Sequence, residues 1–254
     1  MLPEAWIGPS FAALTGAAPS RRVGAGETGW SSTNILSWNW MMSSEKNPLS
    51  PRIDKTGNID ILIAAAECFM EQGYHATSID DVARRLGATK GRIYHYYRSK
   101  TELFFDVHRE GMRRNFEAVT PVMKGPEPAA RRLSAMFRQH ALSMMENLAL
   151  EAVVVQGVEM HRFGATTPEQ RRTLAELMTV RNDFESLFKR VAYEGVEDGS
   201  IRTSDVSVAV KVALGAINWL SIWYRPRPAE TRTDREILAD KIVDSIMQGL
   251  NAPD

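Results

Sequence analysis

Cysteine is almost missing from this sequence: Cys68 is the single thiol in 254 residues, which excludes an internal disulfide framework and any cysteine-rich metal site. An excess of charge of one sign is missing too. Lysine plus arginine and aspartate plus glutamate each total 31, so the formal net charge is zero and any surface for a polyanion has to be local. No uninterrupted apolar run approaches the length of a membrane span. Met1 to Ser20 also lacks the charged flank and continuous apolar stretch of a secretory signal. A reducing cytoplasm and no membrane partner are the expectation. Apolar–polar alternation between turn signals is absent after residue 51, so nothing competes as a sheet.

Enzyme signatures are lacking as well. His75, His95, His108, His140 and His161 show no H-E-x-x-H or comparable spacing, no G-x-S-x-G elbow appears, and no glycine-rich phosphate loop precedes a helix. Neither a catalytic role, a metal nor a cofactor is expected.

A hydrophobic fraction of 44% is enough for a buried core. Residues 1–51 are rich in Gly, Ser, Pro, Ala and Trp without a sustained period, and read as a poorly ordered or artefactual extension. A start at Met41 or Met42 would give a more ordinary chain, and the alternative for Trp6, Trp30, Trp38 and Trp40 is a partner-binding segment. From Pro51 the pattern is helical, so the fold class is all-α. Helices are expected at about Asn58–Gln72, closed by Gly73, from Thr77 or Ser78 to Leu86, from Thr89 or Lys90 to Tyr96, and from Ser99, capped with Glu102, to Val119. Pro121, Gly125, Pro126 and Pro128 then divide a small N-terminal bundle, 52–119, from a larger helical part, 120–254. The later helices are expected at about Ala129–Asn147, Leu150–Arg162, Thr167–Glu194, Asp205–Tyr224 and Thr233–Leu250.

Residues 77–103 read TSIDDVARRLGATKGRIYHYYRSKTEL: two short helices about a Gly87 turn, as in a helix-turn-helix. Ile79, Val82, Ala83, Leu86 and Ile93 can pack the pair together. Arg84, Arg85, Lys90, Arg92, Arg98 and Lys100 fall in this stretch with His95, and no acidic residue lies between Arg84 and Lys100. That is the local basic patch which the net charge conceals, interleaved with Tyr94, Tyr96 and Tyr97. Phenolic hydroxyls suit phosphate oxygens, and arginine or lysine suits guanine edges.

The run ATKGRIYHYYRSKTEL, preceded by GYHATSIDDVARRLG, resembles the N-terminal domain of TetR-family regulators. The resemblance implies a three-helix DNA-reading head followed by a larger helical domain that senses a ligand and dimerises. It places Thr77 and Ser78 near the DNA backbone, and Thr89, Lys90, Gly91 and Arg92 at the start of the recognition helix. Tyr94 and His95 then fall at that helix's middle and Lys100 on a phosphate. Arg92, whose fork can bind guanine bidentately, is the candidate for base contact. INWLSIWYRPRP at Ile217–Pro228, with VVVQGVEMHRFG and YEGVEDGSIR, resembles the sub-group that responds to acyl-coenzyme A thioesters.

The implied partners are a palindromic double-stranded DNA operator, a second copy of the chain, and an acyl-CoA or other apolar effector. Apolar stripes at Val206, Val210, Ala213, Leu214, Ile217 and Leu220, and at Ile237, Leu238, Ile242, Val243, Ile246, Met247 and Leu250, fit either a four-helix dimer interface or an intramolecular core. Candidate pocket residues are Phe137, His140, Met144, Gln156, Glu159, Phe163, Phe184, Asn218, Trp219, Trp223 and Arg225, with Met112, Met145 and Met178 as further adaptable walls. The alternative is a helical protein-interaction module whose basic segment meets another protein or an acidic membrane.

Overall fold

The computed structural model describes residues 58–164 and 167–248, and the expectations for residues 1–51 and for Leu250 lie outside the described residues. Among the described residues all regular structure is helical and no strand occurs. The first four helices are α1 (Ile59–Ala76), α2 (Ile79–Leu86), α3 (Lys90–Tyr96) and α4 (Lys100–Val119). After a 3-10 turn at Thr120–Val122 come α5 (Ala129–Glu146) and α6 (Leu148–Glu159), and a π turn at Met160–Gly164 precedes α7 (Pro168–Glu197). The chain finishes with α8 (Val206–Asn218), the short α9 (Leu220–Trp223) and α10 (Arg232–Gln248).

Local chemistry accounts for most of these ends. The Ser78 hydroxyl accepts from the Asp81 amide and the Asp81 carboxylate accepts from the Ser78 amide, a reciprocal cap that starts α2. Gly87 closes α2 at φ 65°, a left-handed conformation that glycine adopts without penalty. Thr167 and Gln170 build the same cap for α7, with Pro168 in its first turn. Ser99 caps α4 through the Glu102 amide. The Glu102 carboxylate, expected to reciprocate at Ser99, accepts instead from the Arg98 amide at 2.9 Å.

Three expectations change. Gly73 leaves helical geometry, with φ 77° and ψ 163°, but the helix resumes for one more turn to Ala76. The helix expected to reach Arg162 ends at Glu159 in the wider π turn. That expected from Asp205 to Tyr224 is broken at Trp219.

Helix α1 packs on α4 and α6, while α5 contacts α4, α7, α8 and α10. Ile61, Phe69, Val82, Ile93, Leu103 and Phe104 share one apolar cluster with Leu150, Val153, Leu174 and Leu177 of α6 and α7. Gln156 of α6 adds a hydrogen bond to the Phe69 carbonyl at 2.9 Å. Helices α4 and α6 meet where Gly157 faces His108: a Cβ on Gly157 would stand 2.6 Å from the imidazole Cδ2, so only glycine allows this approach.

The stripe Val206, Val210, Ala213, Leu214, Ile217 and Leu220 is buried within the protomer, so the intramolecular alternative holds for it. The apolar residues left outside lie on another face: Val208, Val212 (67% exposed), Trp219 (60%), Ile222, Trp223 and, on α10, Ile237. By length and composition Val206–Trp223 would suit a membrane span, yet 33% of it is buried on the helical core.

Helix α4 also buries Asp106, His108, Arg109, Glu110 and Asn115. Asp106 accepts from Arg109 at 2.5 Å, and Glu110 accepts from Arg113 and Arg114 at 2.7 Å each. Burial, with Arg109 and Arg181 nearby, pulls the His108 pKa down to about 3. His140 is lowered to about 4, again chiefly by burial. Glu151, on α6, is pushed up to about 8 by burial.

The signs oppose one another. The two neutral histidines stabilise the fold above the unfolded value near pH 6.5, and that contribution is lost as pH falls through about 4 and 3. The Glu151 contribution is complete below the unfolded carboxyl value and is lost as pH rises through about 8. Urea unfolding should therefore show a net loss of roughly 2–4 kcal/mol between pH 7 and pH 4. His108→Leu should flatten this acid limb, and Glu151→Gln the decline between pH 7 and 9.

Candidate nucleic-acid interface and ligand cavity

Ile93 and Tyr97 turn one side of α3 into the core, the Tyr97 hydroxyl held by the Asn58 side-chain amide at 2.6 Å. The opposite side therefore faces outward and carries Thr89, Lys90, Gly91, Arg92, Tyr94 and His95, all exposed. These are the candidate recognition-helix residues, and they form one continuous surface.

Its cations are already partnered. Arg92 binds Asp60 of α1 at 2.6 Å and Lys90 binds Asp80 of α2. Arg84 pairs with Asp81 at 2.9 Å, and Arg85 reaches back to Glu67 and Glu71 of α1. Although residues 84–100 contain no acid, the fold brings five carboxylates to them: Asp81 stands only three residues before Arg84 on the same helix, whereas Glu67, Glu71 and Asp60 come from α1, beyond the reach of local spacing.

Two candidates are bonded to the protein's own backbone. Thr77 is buried, and its hydroxyl donates to the carbonyls of Cys68 and Gly73 at 3.1 and 2.8 Å. Lys100 is half-buried over the Tyr74 ring at 4.6 Å. Its ammonium donates to three backbone carbonyls, those of Tyr74, His75 and Thr77, at 2.7, 3.1 and 2.7 Å, and partial desolvation lowers its pKa. Its charge thus closes the end of α1. Ser78 remains exposed, with its hydroxyl committed to the cap with Asp81.

Below this head a cavity of about 220 Å³ lies between α4, α5, α6, α7 and α8. Met112, Met144, Val154, Phe184 and Leu214 are its apolar walls. A polar strip crosses it: Asn115 Nδ2 donates to Glu151 Oε1 at 2.8 Å, Asn115 Oδ1 faces His140 Nδ1 at 3.3 Å, and His140 Nε2 faces Asn218 Oδ1 at 3.0 Å. Because burial keeps the imidazole neutral, it has a single N–H for two acceptors. Turning the Asn218 amide gives the second nitrogen a donor. Arg181, Glu185 and Lys211 complete the lining, with Lys211 on Glu185 at 2.7 Å.

Of the pocket candidates, His140, Met144, Phe184 and Asn218 line this cavity. Phe137 is stacked on Phe188 in the core at 5.2 Å between centroids. Gln156 is turned toward α1 by its bond to Phe69. Glu159, Phe163 (82% exposed), Trp219, Trp223 and Arg225 stand outside the core: the π turn rotates Phe163 outward, and the break at Trp219 keeps both indoles on the outer face of α8 and α9. Sequence reasoning missed Asn115, Glu151 and Arg181. Their signal is weak, a polar residue on the inward side of an otherwise apolar helical face.

Comparison with known proteins gives a consistent account. The family model described as "Bacterial regulatory proteins, tetR family" matches residues 61–107, and that described as "Tetracyclin repressor-like, C-terminal domain" matches residues 126–250. The fatty acid metabolism regulator protein of Bacillus subtilis (strain 168) is 22% identical over 197 residues, 76% of this chain and 95% of that protein. The HTH-type transcriptional repressor KstR2 of Rhodococcus jostii (strain RHA1) is 26% identical over 196 residues, 76% of this chain and 91% of that protein. The structure of the TetR family transcriptional regulator PfmR from Thermus thermophilus superposes with a TM-score of 0.64 at 29% identity, covering 76% of this chain and 99% of that one. AibR, solved in complex with isovaleryl coenzyme A and operator DNA, shares the fold with a TM-score of 0.60 at 24% identity over 74% of this chain and 96% of its own.

The geometry of Lys100 sets a direct test. Lys100→Met strips a charged donor from three carbonyls and should cost about 1.5–3 kcal/mol in urea unfolding, with Lys100→Arg recovering part of the loss. If Lys100 instead served a phosphate, its removal would leave stability unchanged.

Proposed function

We propose that this chain, which belongs to the TetR family of bacterial regulatory proteins, is a repressor that binds a palindromic double-stranded DNA operator as a homodimer and is released from it by a small-molecule effector. The observation that carries this reading is the course of α4. At its first residue, Lys100, it is bonded to the turn that leads into α2, and further along it supplies Met112 and Asn115 to the cavity. One rigid helix therefore joins the exposed face of α3 to the ligand space. A ligand that shifts α4 changes the separation of the two recognition helices of a dimer, which must sit about 34–36 Å apart to meet successive major grooves.

Residues 52–119, including α4, act in this reading as the DNA-reading unit, and 120–254 as the sensing and dimerising unit. Arg92 reads a guanine edge, while Ser78, Thr89, Lys90, the backbone at Gly91, Tyr94 and His95 follow the phosphates and neighbouring bases. The second copy covers Val208, Val212, Trp219, Ile222 and Trp223, which are apolar and exposed in the single chain. The effector is an acyl-CoA or a related carboxylic compound. This rests on the regulator of fatty acid metabolism among the relatives and on the isovaleryl coenzyme A complex of AibR. Such a protein works in the cytoplasm, where its DNA is.

Capturing genomic fragments on the protein, then on Arg92→Ala and Lys90→Ala, tests the DNA assignment. Enrichment of a palindrome is expected, with Arg92→Ala weakening it about 10- to 100-fold, as for one bidentate base contact, and Lys90→Ala weakening all sequences more evenly. A set of fragments with no shared site would overturn the reading. Val212→Asp should convert the protein to a monomer in sedimentation and abolish operator binding; a variant that remains dimeric would place the interface elsewhere.

A further inference from the structure

The cavity is small and is not simply apolar. An apolar cavity of roughly 150 Å³ holds a six-carbon ring, so on that scale the 220 Å³ here admits about nine non-hydrogen atoms. A long acyl chain does not fit within it.

The polar strip restricts the occupant further. Glu151 and Asn115 are buried and face the same space as His140 and Asn218. Among the described residues Glu151 is bonded only to Asn115, through Oε1, which leaves the second carboxyl oxygen for an occupant. Burial keeps this carboxyl protonated up to about pH 8, so it presents an O–H donor rather than a charge. A plain hydrocarbon lying along the strip would cover the second carboxyl oxygen of Glu151 without giving it a partner, and that is costly. An oxygen on the occupant removes the cost.

The rim adds a charge requirement. Lys211 and Lys189 both bind Glu185, at 2.7 and 2.6 Å. Arg181, which also lines the cavity, has no ion pair or hydrogen bond with any described residue. A guanidinium with no partner of its own among the described residues, at the edge of a half-apolar cavity, suits a carboxylate or another oxygen-rich terminus.

We propose that the cavity takes a short acyl compound of about six carbons that carries a hydroxyl or keto oxygen partway along its chain, the oxygen meeting the second carboxyl oxygen of Glu151 and the second amide hydrogen of Asn115 and the carboxyl-derived end meeting Arg181. This rests on the effector-released reading given above and narrows it to an oxygenated, short-chain ligand. The chemistry is shared by the free acid and its coenzyme A thioester.

The test uses the full-length protein with 3-hydroxyhexanoyl-, hexanoyl- and palmitoyl-coenzyme A, together with 3-hydroxyhexanoate and hexanoate. Binding is measured by calorimetry and, separately, by release of a captured operator fragment. The hydroxylated compound, as acid or as thioester, should bind at least about tenfold more tightly than its unsubstituted counterpart, and palmitoyl-coenzyme A should bind weakly or not at all. The stronger of the two arms identifies which source the site takes. Glu151→Gln keeps the shape of the side chain and a donor group, and should retain part of the preference. Glu151→Leu should abolish it while hexanoyl binding persists, and Arg181→Gln should weaken both short ligands alike.

Equal binding of hexanoyl and 3-hydroxyhexanoyl compounds, tighter binding of palmitoyl-coenzyme A, or no binding by any of the panel would overturn the proposal. Operator release by palmitoyl-coenzyme A alone would leave the repressor reading intact while refuting this ligand class. Selective binding of the hydroxylated compound without release would uphold the ligand class and refute the repressor mechanism.

Discussion

Five polar residues buried along one helix set the terms for the rest of this structure. Asp106, His108, Arg109, Glu110 and Asn115 of α4 lie away from solvent, and a buried charge or amide without a partner costs several kcal/mol. Most of that cost is offset within the helix, by Arg109 on Asp106 and by Arg113 and Arg114 on Glu110. Neighbouring helices offset the remainder: Arg114 donates to Asn147 at 2.6 Å, and Asn115 meets Glu151 and His140. These bonds tie α4 to α5 and α6 in a single register, because sliding by one residue would break several of them together. His108 is the exception, with neither nitrogen bonded among the described residues. It is tolerated because it is neutral and because Gly157 leaves room for the ring.

That rigidity gives the cavity its meaning. The walls contributed by α4 cannot relax independently of the helix, so an occupant acts on the helix as a whole. Helix α4 is also bonded at its start to the carbonyls at the end of α1, and the apolar cluster of the head continues into α6 and α7. The connection between the two ends is contiguous packing and hydrogen bonding, one physical route by which coupling can be carried over distance.

What could be read from the sequence was what is local. Ser78, Gly87, Ser99 and Thr167 act within four residues of themselves, and each helix boundary they mark is present. The periodicity of α3 likewise separated Ile93 from Lys90, Tyr94 and His95 without any tertiary information. What escaped was set by distant segments. The bonds of Lys100 to the carbonyls of Tyr74, His75 and Thr77, and that of Thr77 to the carbonyl of Cys68, join segments that no local pattern connects. Trp219 and Trp223 have the composition of a pocket, but the break in the helix at Trp219 sends them outward. Asn115 and Glu151 lie 36 residues apart in sequence, and no spacing rule joins them.

The carboxylates over α3 bear on how such a surface would discriminate. Asp60 and Asp80 occupy Arg92 and Lys90 before any nucleic acid arrives. Each encounter with an arbitrary stretch of duplex then begins as an exchange of one anion for another, nearly even in charge, and the indiscriminate part of the attraction is diminished. Where a guanine edge offers Arg92 a bidentate acceptor pair, as proposed above, that site would lose less by the exchange than others would. Set against the millions of wrong registers in a chromosome, tight general adhesion would keep the protein away from its target. A surface that arrives already neutralised gives up strength everywhere and gains in the ratio between sites.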